Sequence, residues 1–202
     1  MAAGPCTYTE GDLEFTFDAT WTVVLKWDDT AAYRNALHHQ VEGSRAVDFV
    51  GLRGRDLYLV EVKDYRGSER TPTTRRTLRD GGTGLVDTVA VKVRDTVAGI
   101  VGAARLGRAT EAAALARSLV DAGAPLWVIL WLEHAATLPN VKPSVQALRD
   151  KARGGVETDR LQAALRWLGA HTLICARADQ ARVPGIAVRS TPGAKRRAPP
   201  SR

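Results

Sequence analysis

The most apolar run of the chain, Leu126–Leu132, constrains the fold more than any other feature of the sequence. Even when the run is extended back to Ala124, it is too short to cross a membrane as a helix. It also lacks the alternation of polar and apolar residues that marks a strand with one face in water, so it predicts a central strand covered on both faces. We therefore expect an α/β protein whose sheet is flanked by helices.

Strand and helix patterns alternate on both sides of this run. A long helix is predicted over Val86–Leu106, where apolar residues recur at helical spacing. Thr110 opens another helix, which Gly123 ends. Leu13–Phe17 and Trp21–Trp27 are predicted to pair as an N-terminal β-hairpin. The remaining predicted elements are helices over Ala31–His39, Ser144–Ala152 and Thr158–Leu168 and strands over Ala46–Leu52, Leu57–Asp64, Thr172–Ala176 and Ile186–Arg189.

Length and composition predict one globular domain followed by a tail. The chain has 202 residues, of which 45% are hydrophobic and 25% charged, and this composition excludes wholesale disorder. We predict a single domain over residues 1–189 and a disordered basic tail over residues 190–202, which are rich in Pro and basic residues. The sequence begins without the pattern of a secretory signal, and Cys6 and Cys175 form no disulfide framework. We therefore expect a cytoplasmic protein that contacts no membrane.

Positive charge is concentrated in two segments. Of the net charge of +7, residues 65–79 contribute +4 and residues 189–202 contribute +5, so the rest of the chain carries −2. Clustering of this kind predicts contact with a polyanion such as DNA. The cations of the first segment that we expect to bind nucleic acid are Arg66, Arg75, Arg76 and Arg79.

The most informative motif is a predicted hairpin that ends in three polar residues. Its strands, Ala46–Leu52 and Leu57–Asp64, are joined by a turn in which Gly54 comes first, as a type II′ turn prefers. That turn places Asp48 opposite Glu61, and opposed residues of an antiparallel pair have Cβ atoms about 4.5–5.5 Å apart. Lys63, the third polar residue, lies two positions after Glu61 and therefore shares its face of the strand. All three side chains should therefore point the same way from the end of an apolar surface.

The chemistry of these residues favours a divalent cation. Two ionised carboxylates in a partly buried place repel each other, so they need a neutralising charge. Oxygen ligands suit Mg²⁺ or Mn²⁺ better than zinc. Such an ion can polarise a phosphodiester and lower the pKa of an attacking water, with Lys63 placed to orient the water or to meet the phosphorane charge. A plain cross-strand salt bridge is the structural alternative.

The order Asp48, then Glu61-Val62-Lys63, resembles the signature of the PD-(D/E)XK nuclease superfamily, also called restriction-endonuclease-like. That signature places an Asp on one core strand, and then Glu or Asp, any residue and Lys on the next strand of a hairpin. The order of elements over about residues 28–133 is similar to the superfamily core as well. The resemblance implies a mixed β-sheet of the restriction-endonuclease-like type, flanked by helices.

The resemblance also implies roles for single residues. Asp48, Glu61 and the carbonyl of Val62 would ligate Mg²⁺ or Mn²⁺, and Lys63 would assist catalysis. Many members carry a further acid on the first helix, for which Asp29 is the nearest candidate in this chain. The Pro that usually precedes the first Asp of the signature is absent.

Two functional hypotheses follow from these residues. The first is a metal-dependent nuclease that hydrolyses DNA, in defence against foreign DNA or in DNA repair. The second keeps the fold and the basic segments without catalysis, as a nucleic-acid-binding or assembly subunit of a larger complex. A partner protein could supply target recognition in either case, and the oligomeric state stays open. Lys92, on the long helix, could reach a phosphate; a solvated helix face is the alternative for it.

Overall fold

The structure, a computed structural model, describes residues 4–66, 83–107, 109–133 and 155–191. Two β-sheets and several helices form this part of the chain, which confirms the α/β class. The predicted helix at Ser144–Ala152 and nearly all of the basic tail lie outside the described residues. The strands are β1 (Cys6–Glu10), β2 (Leu13–Phe17), β3 (Trp21–Lys26), β4 (Phe49–Arg53), β5 (Asp56–Asp64), β6 (Leu126–Glu133), β7 (His171–Cys175) and β8 (Ile186–Ser190).

The helices pack against one face of the larger sheet. The first begins after Thr30, whose hydroxyl accepts a hydrogen bond from the backbone N–H of Tyr33 and so caps the helix. Among the described residues, no helix is long and apolar enough to cross a membrane. The helices are α1 (Ala31–Tyr33), continued by a π turn (Arg34–His38), α2 (Thr83–Arg105), α3 (Thr110–Val120) and α4 (residues 155–164).

The larger sheet is mixed and has the strand order β3-β4-β5-β6-β7. Its first three strands are antiparallel, and β5, β6 and β7 are parallel. The apolar run forms β6, which lies between β5 and β7 and is buried along almost its whole length. This confirms the prediction of a central strand, because an interior strand with covered faces needs apolar side chains on both of them.

The β4–β5 hairpin has the predicted register. Arg53 pairs with Asp56, and Gly54 in the turn between them has a φ of +61°, the left-handed conformation that glycine adopts without steric cost. Strand β4 begins one residue after Asp48, and the same register continued by one residue places Asp48 opposite Glu61. The turn chemistry thus fixes which side chains meet at the far end of the hairpin.

The predicted pairing of Leu13–Phe17 with Trp21–Trp27 is wrong. Strand β2 pairs with β1 and β8 in a second, antiparallel sheet, whereas β3 is an edge strand of the larger sheet. An N-terminal hairpin does exist, but β1 and β2 form it. The chain turns between the sheets at Asp18, whose carboxylate accepts a hydrogen bond from Thr20 N–H and whose own N–H donates to the carbonyl of Gly185. The carbonyl of Gly185 lies directly before β8. The position of this turn is therefore set by a contact with a distant part of the chain.

Two hydrophobic layers enclose the larger sheet. On the β5 face that carries Leu57 and Leu59, the side chains pack against the helices. On the opposite face, Tyr58 and Val60 pack against the three-stranded sheet. Glu61 continues the helix-facing series because side chains alternate along a strand. The fold therefore directs this carboxylate into the interior layer between sheet and helices.

Candidate metal centre

Asp48 is held in place by backbone groups of two neighbouring strands. Its carbonyl accepts a 2.8 Å hydrogen bond from the N–H of Trp27, directly after β3, and its Oδ2 accepts a 2.6 Å bond from Val62 N–H in β5. The residue is 5% exposed. The N–H and C=O of one residue lie on the same edge of a strand, so the carbonyl of Val62 also points toward Asp48, beyond the last β4–β5 pair.

Helix α2 fixes the loop that precedes Asp48. Asp95 accepts a hydrogen bond from the backbone N–H of Arg45 at 3.0 Å, and the hydroxyl of Thr96 accepts one from Val47 N–H, also at 3.0 Å. Both side chains are buried. The bond to Thr96 satisfies a buried backbone donor that would otherwise lack a partner. The helix that supplies Lys92 therefore also positions the first acid of the motif.

Glu61 is fully buried and is neutralised by two lysines. Its Oε1 lies 2.6 Å from the Nζ of Lys63 and 2.7 Å from the Nζ of Lys92, whose ammonium also donates to Oε2 at 2.8 Å. The Lys92 Nζ is 3.7 Å from Oδ1 of Asp48. The structure thus brings together Asp48, Glu61 and Lys63, as the sequence predicted, and adds Lys92 to them.

The electrostatics of the site reflect this crowding of charge. Burial, followed by the charge of Glu61, raises the pKa of Asp48 to about 7, although Lys92 and the Val62 N–H act in the opposite direction. The pKa of Lys63 is also raised: burial lowers it, but the attraction of Glu61 and Asp48 outweighs that effect. Lys63 is therefore a cation at neutral pH, and Asp48 is poised between its two protonation states.

Two further acids lie beside Asp48. Carboxylate oxygens of Glu10, Asp28 and Asp48 lie within 4.8 Å of one another, and this acidic triad could hold a metal ion. The Oδ1 of Asp28 is buried and has no hydrogen-bond partner among the described residues. Burial, and after it the charge of Asp29, raises the pKa of Asp28. The unpartnered oxygen of Asp28, the carboxylates of Glu10 and Asp48 and the carbonyl of Val62 fit the oxygen ligand set of a hard divalent cation.

The structure places Asp28, and not Asp29, next to Asp48. The side chain of Asp29 is 55% exposed and forms ion pairs with Lys26 at 3.3 Å and with Arg34 at 2.9 Å. Asp28 precedes α1, inside the 3-10 turn Trp27–Asp29, so the neighbouring position is the one that faces the site. The sequence pattern does not show which of the two adjacent aspartates faces the site. Their side-chain directions are set by this turn and not by a regular helix.

Sequence reasoning missed Glu10 because it missed β1. The signal was there: the segment Cys6–Glu10 alternates threonines with other residues and is followed by Gly11-Asp12, which join it to β2. The β1–β2 hairpin brings Glu10 across to the start of β4. Its carboxylate also forms a 3.0 Å ion pair with Lys26.

The predicted nucleic-acid-binding cations fall in different places. Arg66 is committed to internal contacts: its guanidinium donates to Asp64 at 2.6–2.8 Å and to the hydroxyl of Ser190 at 2.7 Å, so it ties β5 to β8. Lys92 contacts Glu61 and Asp48 in the candidate metal centre. The other three predicted nucleic-acid-binding cations lie outside the described residues; they are Arg75, Arg76 and Arg79.

Comparison with protein-family models, with curated proteins and with solved structures finds no match to this chain.

Proposed function

We propose that this protein is a metal-dependent nuclease that hydrolyses phosphodiester bonds of DNA, acting in the cytoplasm. One observation carries the proposal. Two buried carboxylates, Asp48 and Glu61, meet at the end of one hairpin with the ammonium of Lys63 beside them. Packing alone does not require such a buried group of charges, because well-packed apolar residues in their place are often as stabilising or more so.

The ligands of the proposed centre are Asp48, Glu61 and the carbonyl of Val62, with the carboxylates of Asp28 and Glu10 close to Asp48. Oxygen-only donors indicate Mg²⁺ or Mn²⁺. When bound, an ion of this kind polarises the phosphodiester and lowers the pKa of a water molecule. The high pKa of Asp48 means that the apo site favours partial protonation and that a bound cation would hold it ionised.

Lys63 supplies a fixed positive charge to the reaction. In hydrolysis the water oxygen bonds to phosphorus and gives up a proton to solvent, the bond to the leaving oxygen breaks and that oxygen takes up a proton, and negative charge on the phosphoryl oxygens increases in the transition state. Because its pKa is raised, Lys63 stays protonated and donates to that charge; it does not act as the base. Its side chain is 27% exposed, so the ammonium is accessible from the surface.

The basic segment over residues 65–79 supplies affinity for DNA in this proposal. Replacing Arg75, Arg76 and Arg79 together should weaken DNA binding and lower the slope of log K against log salt by about 0.9 for each duplex phosphate that the protein no longer neutralises. Binding isotherms at several salt concentrations measure both quantities. The matched control is Arg55→Ala, which removes one cation from an exposed ion pair with Asp121. If affinity and slope both survive the triple substitution, the segment does not contact DNA.

A non-catalytic DNA-binding or assembly subunit is the second candidate. It is favoured by the two lysines on Glu61, because they neutralise that buried charge without a metal. In this case Lys63 and Lys92 would be structural, and a partner would supply any catalysis.

Binding of Mn²⁺ separates the candidates. At a Mn²⁺ concentration of 100 times Kd, binding adds about 2.7 kcal/mol to the free energy of unfolding, which raises Tm by roughly 5–10 °C in a chain of this size. Thermal unfolding of the wild type and of Asp48→Asn, with Mn²⁺ or with chelator, measures this. We expect the wild type to respond and Asp48→Asn not to respond. A wild-type Tm that does not change with saturating Mn²⁺ would contradict the proposed metal centre.

A further inference from the structure

Lys92 reaches the candidate metal centre from α2 and not from the hairpin that carries the motif. Its ammonium lies 2.7 and 2.8 Å from the two oxygens of Glu61 and 3.7 Å from Oδ1 of Asp48. The side chain is 17% exposed, so the charge shares the enclosed space of the two carboxylates. A positive charge at this point contacts both acids that the proposed function assigns to the metal.

Lys63 differs from Lys92 in its contacts. Within the described part of the chain, Lys63 forms its ion pair with Oε1 of Glu61 at 2.6 Å, and its side chain is more exposed than that of Lys92. Lys92 alone of these two lysines bridges Glu61 and Asp48 within 4 Å. Two ammonium groups thus neutralise Glu61, but one of them occupies the space between the acids.

We propose that Lys92 occupies the cation position of the metal centre when no divalent ion is bound, so that a metal ion must displace the Lys92 ammonium. This inference rests on the proposed function and concerns how its site is loaded. A tethered competitor raises the apparent Kd for metal by the inverse of the fraction of molecules in which the position is open. If that fraction is about one tenth, the wild type binds metal about tenfold more weakly than the intrinsic site.

The geometry gives this competition a physical reason. Asp48 and Glu61 are buried where an uncompensated negative charge is costly. An ammonium on a four-carbon stem can neutralise them in the apo protein and then swing away, because lysine has rotatable bonds that a backbone donor lacks. The neighbouring contacts of α2 through Asp95 and Thr96 are hydrogen bonds to the backbone, so they keep the helix in place when the lysine moves.

Calorimetric titration of the full chain with Mn²⁺ at pH 8, without DNA, tests the proposal. The variants are Lys92→Met, which removes the bridging ammonium, and Lys63→Met, its matched control, which removes an equal charge from the same carboxylate. We expect Lys92→Met to bind Mn²⁺ at least about tenfold more tightly than the wild type, and Lys63→Met to gain much less. Equal gains in the two variants would mean a general charge effect and would overturn the inference, as would an unchanged or weaker affinity in Lys92→Met.

Lys92→Gln provides a second route if the methionine variant does not fold, since its amide can still donate to Glu61 without a charge. It should also bind Mn²⁺ more tightly than the wild type. Mn²⁺ binding by the wild type without a gain in either Lys92 variant overturns the inference and leaves the proposed function intact. Failure of all proteins to bind Mn²⁺ overturns both. Binding by the Lys92 variants but not by the wild type would show that metal does not displace the ammonium; it overturns the inference and favours the non-catalytic candidate.

Discussion

Asp48→Asn should abolish DNA cleavage and stabilise the metal-free protein at pH 8. The amide oxygen can still accept the hydrogen bond from Val62 N–H, so the local geometry is retained. The metal loses an anionic ligand, and we expect the cleavage rate to fall by at least about 10²–10³, the loss seen for one preorganised electrostatic group. Removing a buried charge that faces Glu61 relieves repulsion, so Tm should rise.

The pH dependence of stability reports the same residue. Because the pKa of Asp48 is about 7 in the folded chain and 3.8 ordinarily, the folded state holds an extra proton between those values. Stability from Asp48 is therefore lost as pH rises from about 4 through about 7, by an amount of the order of 4 kcal/mol. Urea unfolding at pH 5 and pH 8 measures the part of this loss that falls above pH 5, which is about 3 kcal/mol. It should shrink in Asp48→Asn, and Asp29→Asn, at an exposed ion pair, serves as the control.

Two results would contradict this account of Asp48. One is an identical change in unfolding free energy between pH 5 and pH 8 in the wild type and in Asp48→Asn. The other is full cleavage activity in Asp48→Asn with unchanged dependence on metal. The first would show that the carboxyl is not perturbed by burial, and the second that it does not bind the metal.

Lys63→Met should separate catalysis from DNA binding. Lys63 stabilises charge that increases in the transition state, so its loss should slow cleavage by about 10²–10³. DNA affinity should change little, because one phosphate contact among several contributes a minor share. Single-turnover cleavage rates and equilibrium binding, measured on one DNA, give the two quantities. Arg55→Met is the control for a loss of one positive charge far from the site, and it should leave the cleavage rate unchanged.

A different pattern would count against catalysis by Lys63. If Lys63→Met weakens binding and cleavage in equal proportion, the ammonium serves ground-state affinity and not the transition state. A metal affinity that rises as much as in Lys92→Met would also show that the two lysines have one shared role.

The hairpin and the central strand could be predicted from the sequence because local rules govern them. A glycine that begins a two-residue turn fixes the register, and the register fixes that Asp48 faces Glu61. The apolar run of β6 can likewise be identified as an interior strand from its own residues, without knowledge of the strands beside it. The residues of the candidate site that contact one another through this hairpin could therefore be located from the sequence.

The remaining features depend on contacts between distant parts of the chain. The pairing of β2 with β8 joins residues at opposite ends of the sequence, and no local pattern distinguishes it from a hairpin with β3. Glu10 reaches the site only through that second sheet, and Lys92 only because α2 lies across the hairpin end. The choice between Asp28 and Asp29 depends on the direction of one short turn.

Cleavage of DNA by the purified protein tests the central claim most directly. Supercoiled plasmid and single-stranded DNA are incubated with the wild type and with Asp48→Asn, in Mg²⁺, in Mn²⁺ and in chelator. We predict strand cleavage by the wild type with either metal, none with chelator and none by Asp48→Asn. Tight DNA binding without turnover in both metals, for the protein alone and with the products of neighbouring genes added, would contradict the nuclease proposal and leave the binding subunit in its place.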